Sequence, residues 1–183
     1  MEFDRQLADL LGEFARTLGT DFPIHSILDH LVARIVSVLP ISAAAITLES
    51  RDASRRHISA SDPSALHFAQ LQAEAGQGPG LQAGDSGHVI AVSDLRTDDR
   101  FPSFAPPAVK SGLMAVFAFP LRHGESQLGA LELYGSVAGP LDAAAMFAAQ
   151  TLADVAAAYV INARPSRIVA RSRLAAARQP SRS

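Results

Sequence analysis

The feature that most constrains the fold is a pair of apolar runs between Gly112 and Gly135. The runs cover residues 115–121 and 127–134, and the polar segment 122–126 between them contains a glycine. A polar loop of three to five residues that carries glycine and joins two such runs is typical of a β-hairpin. The chain is therefore expected to contain an antiparallel sheet.

The second run also indicates what covers the sheet. Leu131 and Leu133 alternate with Ala130 and Glu132, so that one face of the strand is apolar and the other is mixed. This alternation predicts helices on one face of the sheet and a more polar environment on the other.

Length and composition limit the class of protein. A chain of 183 residues with 48% apolar content fits one compact domain with a full core. It has no cysteine, which excludes disulfides, thiolate metal sites and thiol chemistry. The sequence lacks an uninterrupted apolar run of about 20 residues and begins with an acidic amphipathic segment, so we predict a soluble, cytoplasmic protein with no membrane partner.

The charges divide the chain into two parts. Residues 1–163 are acidic overall, whereas residues 164–183 contain six arginines and no acidic residue. This pattern predicts one domain over residues 1–163, followed by a disordered basic tail or linker over residues 164–183. An alternative is that the tail is an arm that binds nucleic acid.

Helical spacing dominates both ends of the domain. It predicts a first helix that ends at Gly19, a second over residues 24–39 and a long alanine-rich one over residues 141–161. The narrow apolar stripe of the first helix suits either a homodimer seam or its own domain. The candidate interface residues on this stripe are Leu7, Leu11, Phe14 and Leu18.

The middle of the chain predicts strands over residues 42–49, 57–60 and 89–92, with helical segments over 63–75 and 104–111. The glycine-rich residues 76–87 lack the Gly-Lys-Ser/Thr of a phosphate-binding loop, and a flexible turn is expected there. Helices and strands do not alternate in this order, which predicts an α+β fold with terminal helices on one face of an antiparallel sheet.

Four segments in this order resemble the GAF domain family, most closely the GAF domains of actinobacterial GAF and ANTAR regulators. They are Gln77–Ala83, Val92–Pro102, Gly112–Leu121 and Gly129–Tyr134. The resemblance implies a GAF-like, PAS-related fold with a five- or six-stranded central sheet. It also implies a sensor or regulatory domain in bacterial signal transduction or transcription regulation. Gly80 stands where that group usually has cysteine, and the RNA-binding helical bundle of those regulators is not recognisable after the last predicted helix.

The resemblance also implies where a small molecule would bind, namely between the sheet and the intervening helices. Aromatic side chains are the expected wall of such a pocket, and two arginines on its rim are suited to an anionic ligand. These candidates are Phe101, Phe104, Phe117, Phe119, Tyr134, Arg96 and Arg100. Asp94, Asp98 and Asp99 are close enough in sequence to neutralise the arginines instead.

Enzyme chemistry is not expected. Some GAF proteins reduce free methionine sulfoxide with cysteines, which this chain lacks. Ser86 and His88 are near each other without a third orienting group, and the histidines lack metal-ligand spacing. We therefore predict a non-enzymatic protein without metal or cofactor. Three functions remain open: a ligand sensor, a dimerisation module whose pocket is filled by its own side chains, and an RNA- or DNA-binding antiterminator fragment.

Overall fold

The computed structural model describes residues 1–18, 20–49 and 57–176, with side chains described up to residue 163. The described elements are α1 (Glu2–Thr17), α2 (Ile24–Val38), β1 (Ala43–Leu48), β2 (His57–Ala60), α3 (Pro63–Ala75), α4 (Pro79–Ser86), β3 (Ile90–Val92), α5 (Ala105–Lys110), β4 (Ala115–His123), β5 (Ser126–Gly135) and α6 (Ala143–Ala176). The strands form one five-stranded sheet in the order β2-β1-β5-β4-β3, and every neighbouring pair is antiparallel. The predicted α+β fold is confirmed.

The predicted hairpin forms the centre of the sheet as β4 and β5. The pairing of β4 with β5 has a bulge, where the register shifts between Leu121 and Arg122. The bulge changes which residues of β5 face each side, so Leu128 and Leu131 belong to the same apolar cluster although they are three residues apart. Gly129 lies at this bulge with a φ of 141°, and a Cβ atom there would overlap the backbone oxygen of Thr47. Glycine is therefore required where β1 approaches β5.

The glycine-rich segment contains a helix, α4, so the prediction of a flexible turn was wrong. Asp62 caps the preceding helix α3 by accepting a 2.7 Å hydrogen bond from the Ala65 backbone nitrogen, and Gly76 ends it with a φ of 63°. Pro79 then begins α4, a position where proline's missing N–H has no cost. Propensity disfavours glycine within a helix, but here tertiary contacts with β4 and β5 hold α4 on the sheet.

The sheet is covered by helices on both faces, whereas the alternation in β5 predicts helices on one face only. We call α1, α2 and α6 the helix layer; it packs on one face against side chains that include Ile46, Phe117 and Leu131. We call α3, α4 and α5 the cover helices; they pack on the opposite face, which we call the cover face. Each face buries its own apolar cluster.

Helix α6 extends beyond the domain boundary that the charge pattern predicts. It runs without a break to Ala176, so the boundary between residues 163 and 164 falls inside a helix. The side chains of the basic tail lie outside the described residues, and so do residues 177–183. A disordered tail, and nucleic-acid binding by its arginines, therefore stay predictions.

One part of α6 resembles a membrane span by length and composition. Residues Ala143–Ala163 have a mean hydropathy of 1.5, although Gln150 and Asp154 interrupt the apolar sequence. Half of the apolar window is buried inside the protein, including Leu152 and Ala156 in the helix-layer cluster. The core helix of a globular domain has the same composition.

Candidate functional site

The predicted aromatic pocket wall is divided between the two faces of the sheet. Phe101, Phe104 and Tyr134 are buried in the cluster on the cover face. Phe117 and Phe119 project from β4 into the opposite cluster, beneath the helix layer. Alternate residues of a strand point to opposite faces, and Val116 and Ala118 of β4 face the cover helices. Phe117 and Phe119 therefore cannot line one pocket with Tyr134.

The two arginines predicted for the pocket rim are paired with aspartates. Arg96 donates two side-chain hydrogen bonds to Asp94. Arg100 donates three to Asp98 and one to the Ala91 backbone oxygen at 3.0 Å. Hydrogen bonds from the arginines lower the pKa of the Asp94 and Asp98 carboxyls. Each cation thus has an acidic partner two residues away, which is the alternative that the sequence leaves open.

A buried carboxyl group occupies the centre of the cover face. Glu132 of β5 is 3% exposed, and its Oε2 accepts hydrogen bonds from Gln72 Nε2 on α3 and from the Tyr134 hydroxyl. Burial raises the pKa of Glu132 above its ordinary value, while the bonds from Tyr134 and Gln72 act in the opposite direction. The raised pKa favours the neutral form of the carboxyl group.

Gln72 connects this carboxyl group to α4. Its Oε1 accepts a 2.8 Å hydrogen bond from the Gly80 backbone nitrogen, while its Nε2 donates to Glu132. The first amides of a helix have no partner within the helix, and Gln72 satisfies one of them. A single buried amide side chain therefore joins α3, α4 and β5.

Gly80 is the residue that makes room for Glu132. A Cβ atom at Gly80 would overlap the carboxyl group and Cγ of Glu132, so any larger residue would displace this side chain. The cysteine that the resemblance associates with this position would meet the same obstacle. The buried position of the Glu132 side chain therefore requires glycine at position 80.

The space left beside this cluster is small. A cavity of about 20 Å³ lies between the sheet and helices α3 and α4, lined by residues that include Thr47, Gln72, Gly80, Gly84 and Glu132. Pockets for small ligands have volumes of about 300–1,000 Å³, whereas a single water molecule needs roughly 10–15 Å³ of comparable space. This cavity has room for a water molecule and not for a metabolite.

A larger concavity lies on the other side of the molecule, in the helix layer. An open groove of about 320 Å³ runs between α1 and α2, and we call it the α1–α2 groove. Its wall is largely apolar, and Phe22 on its edge is 61% exposed. The residues that line it are Glu13, Phe14, Thr17, Phe22, Ser26, Ile27 and His30.

The four candidate interface residues differ in exposure. Phe14 is buried at 2% within its own protomer, where its ring contacts the edge of Tyr159. Leu7 and Leu11 are partly buried against the same cluster, and Leu18 is 39% exposed. The apolar stripe of α1 therefore packs mainly on its own domain, and the exposed apolar surface lies at its C-terminal end and in the following turn.

Charged residues border the α1–α2 groove. Glu13 of α1 accepts hydrogen bonds from Arg34 Nε at 3.3 Å and pairs with His30 Nε2 at 2.5 Å, both on α2. The hydrogen bond with His30 is the main cause that lowers the pKa of Glu13. These contacts fix α1 against α2 and leave the apolar wall of the groove open.

The described residues offer no catalytic arrangement at Ser86 and His88. Ser86 Oγ accepts a hydrogen bond from the His88 backbone nitrogen at 3.2 Å, and the His88 ring bonds the Ser86 backbone oxygen. The imidazole thus does not contact the hydroxyl group as a general base would. Within residues 1–18, 20–49 and 57–163, no group of three or more His, Asp or Glu side chains could hold a metal ion.

Of the three residues in the buried polar cluster on the cover face, two are not predicted from the sequence. Tyr134 was among the candidates, but Gln72 and Glu132 were not. A glutamate between Ala130 and Tyr134 on the same face of a central apolar strand was the available signal for Glu132. Gln72 carries no comparable signal, because a glutamine within a helix is ordinarily exposed.

The comparisons with known proteins agree with this architecture. The family model described as GAF domain matches residues 23–160. The match covers most of the chain, and the chain therefore belongs to the GAF family. GAF domains are sensor and regulatory modules in signalling proteins. No curated protein matches the chain.

Solved GAF domains share the fold at low sequence identity. The GAF domain of an Acinetobacter phosphoenolpyruvate-protein phosphotransferase is 15% identical with a TM-score of 0.67, covering 86% of this chain and 94% of that one. The GAF domain of a putative sensor histidine kinase from Pseudomonas syringae pv. tomato is 21% identical with a TM-score of 0.61, covering 90% and 92%. These similarities establish the fold and leave the narrower GAF and ANTAR affiliation as a prediction.

An enzyme also has this fold. The free methionine-R-sulfoxide reductase from Neisseria meningitidis is 12% identical with a TM-score of 0.65, covering 87% of this chain and 91% of that one. The present chain has no cysteine and so lacks the residue on which thiol chemistry depends. The likeness to the reductase is therefore a likeness of fold.

Proposed function

We propose that this chain is a non-enzymatic regulatory domain of bacterial signal transduction that acts as a homodimer through its helix layer. The observation that carries the proposal is the contrast between the cavity beneath the cover helices and the α1–α2 groove. The cover face is filled by the protein's own side chains, with about 20 Å³ left, whereas the α1–α2 groove is open at about 320 Å³. Of the functions left open by the sequence, this contrast favours a module that signals by association.

The exposed residues around the groove support a second copy of the chain as the partner. Phe22 is 61% exposed beside an apolar concavity, and Leu18 is 39% exposed at the end of α1. An exposed side chain and a groove on the same surface suit an isologous two-fold interface, because the Phe22 of each copy can then enter the α1–α2 groove of the other. Burying one phenylalanine side chain contributes roughly 1.5–3 kcal/mol.

Signalling would follow from the position of α6. This helix packs on the sheet and against α1 and α2, and it continues to Ala176. A change in how two helix layers pack would be transmitted along α6, since packed helices move as rigid elements. Domains of the same fold occur in putative sensor histidine kinases from Sinorhizobium meliloti 1021 and Pseudomonas syringae pv. tomato. The segment resemblance to GAF and ANTAR regulators favours a cytoplasmic output at the level of transcription.

The decisive experiment compares Phe22→Asp with Val137→Asp. Val137 is 77% exposed in the loop after β5 and does not line the groove, which makes it a matched control for a new surface charge. Light scattering over a concentration series should show a wild-type dimer, a monomeric Phe22→Asp protein and a dimeric Val137→Asp protein. A wild-type monomer, or a Phe22→Asp protein that remains dimeric, contradicts the proposal.

Phe14→Asp is not suitable for this experiment. Its ring is buried within the protomer, so a charge there would destabilise the domain itself and would produce a monomer through unfolding. Circular dichroism of the Phe22→Asp and Val137→Asp proteins should give the wild-type spectrum, which separates loss of association from loss of fold.

A further inference from the structure

The cover face shows an acceptor and two donors arranged as a binding site would arrange them. Gln72 Nε2 and the Tyr134 hydroxyl converge on one carboxyl oxygen, and all three side chains are buried. In a ligand site, a few buried polar groups of this kind fix the orientation of a bound molecule. Here the carboxyl group that they hold belongs to the chain itself.

The rest of the site is shaped around that carboxyl group. Gly80 leaves the volume that Glu132 fills, and Gln72 links the carboxyl group to the first turn of α4. The remaining cavity of about 20 Å³ leaves no space for a ligand beside Glu132. A molecule larger than water could enter only if the Glu132 side chain left.

We propose that Glu132 is a built-in ligand: its carboxyl group fills the site between the sheet and helices α3 and α4, and the site without this side chain binds a small monocarboxylic acid. The carboxyl group holds α3 and α4 on the sheet through Gln72. The inference concerns the cover face and does not depend on dimerisation through the helix layer.

The test supplies the missing group from solution. Glu132→Ala removes a CH₂COOH unit, and acetic acid has the same carboxyl group and carbon number. Thermal unfolding is followed in sodium acetate and in sodium chloride of equal ionic strength at pH 5. Acetate should raise the Tm of Glu132→Ala by several degrees over chloride, because a ligand that binds only the folded state stabilises it. The rise should shrink at pH 7, where less of the acid is neutral.

Two controls separate a specific site from a general effect of acetate. Glu132→Gln keeps the volume and one acceptor oxygen, so acetate should not raise its Tm. Leu131→Ala opens a cavity on the opposite, apolar face, and a cavity of that kind does not take a polar solute. The proposal is overturned if acetate stabilises the wild type or either control as much as Glu132→Ala, or if it stabilises none of them.

A second measurement examines whether Gly80 and Glu132 share one space. Gly80→Ala should lower the Tm of the wild type by several degrees, because its Cβ overlaps the glutamate. In the Glu132→Ala background the same change should have little effect, since the overlapping atoms are gone. Equal effects in both backgrounds would show that the two residues are independent, and the proposal would then be wrong.

The variant also gives a result if it does not fold in chloride. Glu132→Ala would then be refolded from denaturant in acetate and in chloride. Recovery of a cooperative thermal transition in acetate alone supports the built-in ligand. Equal recovery in both salts, or recovery in neither, overturns it.

Discussion

The two faces of the sheet each bury an apolar cluster but use different chemistry. Under the helix layer, β4 and β5 contribute only apolar side chains, such as Phe117, Leu131 and Leu133. On the cover face, the same strands place Glu132 beside Tyr134 and against Gln72. The strands thus present apolar side chains to the helix layer, whereas on the cover face they also present a buried carboxyl group with specified partners.

The difference also separates the candidate roles of the two faces. Apolar contacts are not directional, so the helix layer can repack against a partner while its core remains buried. A buried carboxyl group tolerates little movement, because losing a hydrogen bond leaves a polar atom unsatisfied. This contrast supports a fixed cover face and a helix layer that changes its contacts.

The largest expected effect is on the apolar face. Leu131→Ala should lower the free energy of unfolding by about 2–5 kcal/mol, because Leu131 is fully buried and its truncation leaves a cavity. The effect is measured by urea denaturation. The exposed Val137 is the control, and Val137→Ala should change stability by less than about 0.5 kcal/mol. Similar losses for the two variants would contradict the assignment of Leu131 to the core.

Removing one tyrosine hydroxyl group on each face should have a smaller effect on stability, and the two losses should differ. The Tyr134 hydroxyl donates to the Glu132 carboxyl group, whereas the Tyr159 hydroxyl donates to the Phe14 backbone oxygen under the helix layer. Tyr134→Phe should cost about 1–3 kcal/mol, because it removes one of the two donors to a fully buried carboxyl oxygen, and Tyr159→Phe about 0.5–1.5 kcal/mol, the usual range for one hydrogen bond.

The pH dependence of these two losses gives the sharper test. The cost of Tyr134→Phe should grow between pH 5 and pH 8, because an ionised Glu132 needs its donor more than a neutral one does. The cost of Tyr159→Phe should stay constant, since its acceptor does not titrate. Denaturation curves at both pH values measure this, and parallel pH profiles for the two variants would rule out the distinction.

The next prediction concerns the charge of Glu132 itself. Its pKa is raised in the folded state above the ordinary value of 4.5, so the unfolded chain loses this proton first as the pH rises. The stability of the wild type relative to Glu132→Gln should therefore be highest below about pH 4.5. It should fall as the pH rises through the folded-state pKa of Glu132. Melting temperatures of both proteins from pH 4 to pH 8 provide the measurement. A difference that does not change with pH would mean that Glu132 is not shifted.

The smallest effect is expected at the edge of the cover face. Arg100→Ala removes an exposed ion pair with Asp98 and a hydrogen bond to the Ala91 backbone oxygen, and should cost less than about 1 kcal/mol. Because Arg100 lowers the pKa of Asp98, the contribution should be lost as the pH falls through that lowered pKa. Urea denaturation at low and high salt should show a smaller loss at high salt. A loss as large as that of Leu131→Ala would indicate a different role for Arg100.

Much of the fold could be predicted because local patterns and tertiary structure agree. The hairpin, helices α1 and α2, and the strand order along the chain all follow from apolar spacing. The helix α4 could not be predicted, since its glycines favour a turn locally and only contacts with β4 and β5 stabilise the helix. The predicted pocket wall is divided by the sheet: Phe101, Phe104 and Tyr134 lie on the cover face, whereas Phe117 and Phe119 lie on the other. A role of any of them in binding a ligand stays a prediction.

The sequence by itself determined the antiparallel hairpin, the terminal helices and the absence of thiol chemistry, because periodicity and composition are local properties. Only the tertiary structure decided which face each side chain of the hairpin serves and what fills the site beneath the cover helices. Glu132 lies 60 residues after Gln72 along the chain, and its fit with Gln72 and Gly80 depends on α3, α4 and β5 meeting at one point. No local sequence pattern predicts this contact, since it arises from packing of α3 and α4 on β5, which is distant in sequence.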